Sequence, residues 1–255
     1  TSSELINVLK HPNKWHRQTA QRLLADRRDK SIVPRLTSLM MKGKGQFALE
    51  CFWAINHCGG FNPHLAEHTL THSHPFIRHW TIRLLGDDHT MTPILRAKLI
   101  ALAKNEPNAE VRSCLAASCK RWTAKDSFPI LAALIRRDED ANDKHIPLLL
   151  WWAIENKAVS DGAQVAKLLA DKSLWQTPMM QSHLVKRLGQ RFTAERTAAN
   201  LKTAAKLLAL APTDADRDQL VTGMEEGLRG NAVQNPPKAL LAETAKLWES
   251  RPHTP

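Results

Sequence analysis

A stretch near the start of this chain comes back twice. Residues 11–24 read His11-Pro12-Asn13-Lys14-Trp15-His16-Arg17-Gln18-Thr19-Ala20-Gln21-Arg22-Leu23-Leu24. The pattern returns as His74-Pro75-Phe76-Ile77-Arg78-His79-Trp80-Thr81-Ile82-Arg83-Leu84-Leu85. In both, a second arginine follows five residues after the first and a double leucine closes the run. A weaker copy is Pro107-Asn108-Ala109-Glu110-Val111-Arg112-Ser113-Cys114-Leu115-Ala116. Arg17 and Arg78 stand 61 residues apart and Arg78 and Arg112 34, with another helical segment, Gln46 to Cys58, midway in the longer gap. A unit of roughly 30–34 residues is the period of a stacked helical repeat. One helix pair cannot bury its own apolar stripe, so it buries that stripe on the next pair.

Local signals agree. Asn62-Pro63, Thr92-Pro93 and Thr213-Asp214-Ala215-Asp216 set a capping residue before a proline or an acidic first turn. Lys42-Gly43-Lys44-Gly45 and Cys58-Gly59-Gly60 are breaks. Between breaks, apolar residues recur at helical spacing, as in Leu95, Leu99, Leu102 and Ala103, and strand-type alternation is absent. Glycine is scarce (10 residues), tyrosine is missing, and the rest of the composition favours helix. The arginine near each helix start resembles the Val-Arg of HEAT repeats. The expected fold is all-α, a HEAT/armadillo-like right-handed superhelix of antiparallel helix pairs over residues 1–230. Its later units are expected at 126–157, 160–192 and 194–230. Residues 231–255 are expected to be a linker, Asn231 to Lys238 with Asn235-Pro236-Pro237, and the truncated start of a further helix at about 238–249.

Charge is uneven. The formal net charge is +11, and residues 1–122 hold 18 of the 36 Lys and Arg but 9 of the 25 Asp and Glu. A basic half attracts nucleic acid, anionic lipid or an acidic protein, though a merely basic soluble surface is the plainer reading. No apolar run approaches the ~20 residues that span a bilayer, and the first residues have no signal-peptide pattern. The chain lacks an initiating methionine and is expected to be a piece of a longer protein. Cys51, Cys58, Cys114 and Cys119 form no Cys-x-x-Cys pair and read as small buried apolar residues.

Three groups invite a chemical reading. His64, His68 and His72 fall at i, i+4 and i+8, one face of a helix, and two histidines so spaced can share a metal. No His-Glu-x-x-His motif accompanies them, so a solvated polar face is the favoured reading and no metal site is expected. Trp15, Trp53, Trp80, Trp122, Trp151 and Trp152 could be stacking platforms for bases or sugars, but most recur once per unit and are expected in the core. Trp151 and Trp152 point about 100° apart, so one of them is expected to meet a neighbouring domain. The run Arg17, Arg22, Arg27, Arg28, Lys30, Arg35 could hold phosphate, but interleaved Asp26 and Asp29 favour local ion pairs. No nucleophile motif or glycine-rich phosphate loop appears.

Arg17, Arg78 and Arg112 carry the sharpest structural expectation. Each lies near a helix N-terminus, where the macrodipole disfavours a cation. A fixed acceptor must offset that: a carboxylate or helix C-terminal carbonyl on the adjacent unit. At least two of the three are therefore expected to be buried and bonded to a neighbouring helix, stacking the repeats and binding no ligand.

Longer stretches carry a family resemblance. Ile146-Pro147-Leu148-Leu149-Leu150-Trp151-Trp152-Ala153-Ile154-Glu155, the opening Pro12 to Leu24, Leu207-Leu208-Ala209-Leu210-Ala211-Pro212 and Leu220 to Leu228 together resemble the helical-repeat region of PVC-type haem-binding membrane-bound dehydrogenases. The likeness spans most of residues 5–230. It implies a large exported, periplasmic protein in which a β-propeller precedes the repeats and a c-type cytochrome follows them. The repeats would then be a non-catalytic scaffold and protein-interaction module spacing those domains, with neighbouring domains of the same chain as partners. The parent's haem has no attachment motif here, since Cys-x-x-Cys-His is absent, so this fragment is expected to hold no cofactor and to be no enzyme by itself. Two alternative readings stand beside it: a free-standing metal- or sugar-binding protein, which the histidine row alone supports, and a basic HEAT-like nucleic-acid-binding module resembling alkylpurine DNA glycosylases. The basic N-terminal half fits the nucleic-acid module; the lack of an identifiable catalytic aspartate does not.

Overall fold

The computed structural model describes residues 1–230 and 233–249, and every regular element among them is helical. The chain divides into two compact units, Thr1–Leu102 and a second from Ala103 onward.

The first unit holds α1 (Ser2–Val8), α2 (Lys14–Arg27), α3 (Val33–Lys42), α4 (Gly45–His57), α5 (Pro63–Thr69), α6 (Pro75–Asp87) and most of α7 (Pro93–Asn105), which runs across the boundary. The starts follow capping chemistry. Thr1 and Glu4 close a capping box on α1, Asn13 accepts from the Trp15 amide, and Asn62 accepts from the Leu65 amide ahead of Pro63. The α2 helix stops where Arg28 turns left-handed at φ 48°. Packing is pairwise: α1 on α2, α3 on α4, α5 on α6, with α4 lying between α2 and α6. That position explains α4, in which Ala48 to Phe52, Ala54 and Ile55 are all buried, because a helix covered on several sides must be apolar on several sides. Ile6, Leu24, Leu36, Met40, Phe52 and Ile55 form the centre of this core.

The second unit continues with α8 (Ala109–Cys119), α9 (Ala124–Ile135), α10 (Ile146–Ala158), α11 (Gly162–Leu169), the single turn α12 (Lys172–Trp175), α13 (Val185–Ala194), α14 (Ala198–Leu210), α15 (Asp214–Leu228) and α16 (Lys238–Glu249). A π turn over Met180–Leu184 leads into α13. Two rows run through this unit: α8, α10, α13 and α15 pack in succession, and so do α9, α11, α14 and α16. The closest approach is α13 on α15. A methyl on Gly223 would sit 1.9 Å from the Lys186 carbonyl oxygen, and one on Gly189 would sit 2.2 Å from that of Leu220, so only hydrogen fits between the backbones.

Of the tail, Asn231 and Ala232, which open the expected linker, and residues 250–255 lie outside the described residues. Pro236 and Pro237 are non-helical and lead into α16, which packs on α14 through buried Leu240. No helix among the described residues is long and apolar enough to cross a membrane.

Candidate functional site

The three arginines share one local geometry. Each stands four residues past its helix N-cap, Asn13, His74 and Asn108. From there the guanidinium folds back on the turn that enters the helix. Arg17 Nη1 donates to the carbonyls of His11 (2.9 Å) and Pro12 (2.8 Å). Arg78 Nη1 donates to those of His72 (2.7 Å) and Ser73 (3.2 Å), and Arg112 Nη1 to those of Glu106 and Pro107, both at 2.9 Å. The offsets are identical, six and five residues back. The residue six back is used twice, because its side chain also accepts from the N-cap amide: His11 Nδ1 from Asn13, His72 Nδ1 from His74, Glu106 Oε1 from Asn108, each at 3.0 Å. His11 is therefore equivalent to His72, and the two His-Pro dipeptides seen in sequence are not equivalent to each other.

In Arg17 and Arg112 the far edge of the guanidinium reaches the next helix pair. Arg17 Nε lies 2.8 Å from Glu50 Oε1 on α4. Arg112 takes both oxygens of Asp140, Nε to Oδ2 at 2.6 Å and Nη2 to Oδ1 at 2.5 Å, in the 3-10 turn Asp138–Asp140. That carboxylate holds the Arg112 pKa above its ordinary value, chiefly through the hydrogen bond. Arg78 and Arg112 are buried, and Arg17 is 15% exposed at its side chain. The acidic partners lie on the adjacent pair as the dipole argument requires. The carbonyls come from each arginine's own entry turn, which places them nearer than any neighbouring helix end.

A fourth junction has no arginine. Gln181, four residues past the capping Thr177, donates from Nε2 to the Trp175 carbonyl six residues back (2.7 Å) and to Asp216 Oδ1 of α15 (2.6 Å). A neutral amide thus occupies the arginine's place. Its Oε1 accepts from Gln219 at 2.8 Å. Nothing in the sequence flagged it, because the cue there was a cation.

A polar hollow of about 610 Å³ opens between α2 and α4, beside the first junction. Lys14, Arg17, Gln18 and Gln21 line it from α2, and Gln46, Glu50, Trp53 and His57 from α4. The Trp53 ring meets Trp80 of α6 edge to face at 5.5 Å, and Arg83 lies over Trp80 at 5.2 Å. Together these second helices present amide, indole and cationic groups in one neighbourhood.

The histidine row is broken. Helix α5 ends at Thr69, so His72 leaves the face that its spacing predicted. His64 and His68 are exposed with rings 4.8 Å apart. They stand at an apolar hollow lined by Val33, Pro34, Met41 and Leu65. His72 is buried, and both its nitrogens are engaged, Nδ1 by the His74 amide and Nε2 by the Met40 carbonyl at 3.3 Å. Among the described residues no group of three or more histidine, cysteine or acidic side chains is placed to hold a metal.

The tryptophan expectation needs correcting. Of the six named, Trp122 is buried, Trp53, Trp80 and Trp151 are half-buried, and Trp15 and Trp152 are exposed. Five of the six ride on second helices (α2, α4, α6, α10). Trp151 and Trp152 diverge as adjacent helical residues must: Arg187 of α13 lies over Trp151 at 5.9 Å, and Trp152 is open. Trp175 was not singled out, yet it is fully buried, with Nε1 donating to the Leu169 carbonyl at 2.8 Å. Against expectation, among the described residues Asp26 and Asp29 form no ion pair within salt-bridge distance. Asp29 accepts from Ser31, and Arg22, Arg27 and Arg28 are exposed.

All four cysteines are buried and free, and burial pushes the Cys51 and Cys119 thiols up to about 12, far from a reactive thiolate. Lys157 is buried too. Its Nζ donates to the Cys119 carbonyl (2.8 Å) and the Lys120 carbonyl (3.1 Å), capping α8, and burial lowers its pKa. No known family model matches the chain, and no curated protein does.

Proposed function

We propose that this chain is a HEAT/armadillo-like solenoid, a right-handed superhelix of antiparallel pairs, acting as a non-catalytic scaffold and protein-interaction module. The observation that carries the reading is the recurring junction. The same entry turn appears at Arg17, Arg78 and Arg112, and its acidic acceptor lies on the following pair at Glu50 and Asp140, with Gln181 and Asp216 repeating the arrangement. Such joints make stability a sum of unit and interface terms. The resemblance to PVC-type haem-binding dehydrogenases supports a place between a β-propeller and a c-type cytochrome in an exported protein. In that setting exposed Trp152 and half-buried Trp151 are the interdomain contact.

Two experiments test the reading. Deleting α1 and α2 should lower stability by one increment and leave a helical, cooperatively unfolding remainder; total unfolding would count against a stack. The gene on either side of this stretch should encode a propeller before it and Cys-x-x-Cys-His after it.

A second reading has one observation in its favour. Arg22, Arg27 and Arg28 are exposed along α2 and at its end, and the same helix carries exposed Trp15 at its start, the groups that a basic HEAT-like nucleic-acid module would use. Under the scaffold reading, duplex DNA binds weakly and its affinity falls steeply with salt. Lesion-specific binding at physiological salt would favour the nucleic-acid module.

A further inference from the structure

Two side chains that line the hollow between α2 and α4 each carry a buried polar atom that the protein leaves unanswered. Gln21 is 8% exposed, and its Nε2 donates to the Glu50 carbonyl (2.7 Å) and to Glu50 Oε2 (2.9 Å). Two acceptors fix the amide's orientation, since a flip would set oxygen against oxygen. Its Oε1 is thereby left buried with no partner. On the facing helix the indole Nε1 of Trp53 is likewise buried and unpartnered. Both side chains line the hollow. A buried acceptor and a buried donor without partners are costly and uncommon in a folded protein. Here they belong to side chains of two helices that line one hollow.

The chemistry that answers both is a hydroxyl, which donates one hydrogen bond and accepts two. A trans peptide group is less suited, because its N–H and C=O point in opposite directions. The rim agrees: the amide of Gln18 and the ammonium of Lys14 are exposed and free to rotate aside for an entering ring, while the Gln46 amide is held on Glu50. The volume, about 610 Å³, is that of a small-molecule site. We propose that this hollow is a saccharide-binding site, in which ligand hydroxyls accept from Trp53 Nε1 and donate to Gln21 Oε1. The site binds without cleaving. Glu50, the one carboxylate among the described residues lining it, already accepts from Arg17, Gln46 and Gln21, and glycoside hydrolysis needs a pair of carboxyl groups. The proposal does not depend on the scaffold reading.

The test uses the full chain labelled with ¹⁵N. Maltohexaose, cellohexaose and chitohexaose are titrated separately, with glycerol as control, and the indole N–H resonances are followed. The Trp53 signal is assigned by its loss in Trp53→Phe. At least one oligosaccharide should move that signal saturably at millimolar concentration or below, together with backbone amides of α2 and α4. By calorimetry Trp53→Phe should bind it at least about tenfold more weakly. The proposal is overturned by no shift with any of the three sugars, by an equal shift with glycerol, or by a shift only with a short polyglutamate peptide. Shifts confined to other helices overturn it even if Trp53→Phe does not fold, as does undiminished binding by that variant if it does.

Discussion

Arg112 and Asp140 form a two-point pair away from solvent, Nε on Oδ2 and Nη2 on Oδ1, with side-chain exposures of 6% and 2%. Removing one partner leaves the other charge buried and uncompensated. Arg112→Met should therefore cost about 3–5 kcal/mol in chemical denaturation. Combining it with Asp140→Leu should restore much of the loss, since a buried ion pair and a packed apolar pair of similar volume are often close in stability. A single-variant loss below about 1 kcal/mol would mean that the junction does not hold the pairs together.

His72 gives the first unit an acid-sensitive joint. Burial lowers its pKa, against the opposing pull of the hydrogen bond to the Met40 carbonyl, and His74 and Arg78 add to the lowering. The neutral tautomer with hydrogen on Nε2 satisfies both contacts; a second proton on Nδ1 would face the His74 amide. The unfolded chain takes up that proton near the usual ~6.5 while the folded chain resists it. The contribution is thus present above pH 6.5 and falls as the pH drops toward the lowered folded value. Melting curves should show His72→Gln with a flatter pH dependence than wild type between neutral pH and pH 5. Identical slopes would remove His72 from the account.

Gly223→Ala sets two effects against each other. Alanine favours a helix over glycine by about 1 kcal/mol. A methyl 1.9 Å from the Lys186 oxygen forces α15 off α13, and overpacking of that kind costs roughly 1–3 kcal/mol or more. Because the clash is with backbone, which has no rotamer to escape into, the loss should win. Thermal unfolding should show a clear destabilisation; a more stable variant would show that the helices do not meet as described.

Gln181→Leu should cost about 1–3 kcal/mol, because the Trp175 carbonyl and the Gln219 amide lose a buried or half-buried partner. The loss should change little between low and high salt, since the missing group is neutral. A strong salt dependence would show that the effect runs through Asp216 alone.

Much of this was readable beforehand, and the rest resisted for physical reasons. Capping residues and helical spacing mark the helix starts because they act over a few residues. The arginine position was legible because a cation at a helix N-terminus demands an acceptor. His72 was misplaced because α5 ends without a glycine or proline to announce it. The tryptophans were assigned to the core because periodicity identifies a helix face without saying whether a neighbour covers it. Gln21 and Trp53 carry no ligand-binding motif. Their unpaired atoms exist only once α2 and α4 stand side by side.

The glycine contact between α13 and α15 has a mechanical meaning. With hydrogen alone between the two backbones, there are no side-chain torsions to give when one helix is pushed. A sideways load on α15 passes straight to α13, and the two should bend as one thick beam. Joints made through a guanidinium arm, as at Arg112, have several rotatable bonds in series and so carry slack. Along the second unit, compliance should therefore be greatest where the arms are longest and least where the chain has given up its side chains.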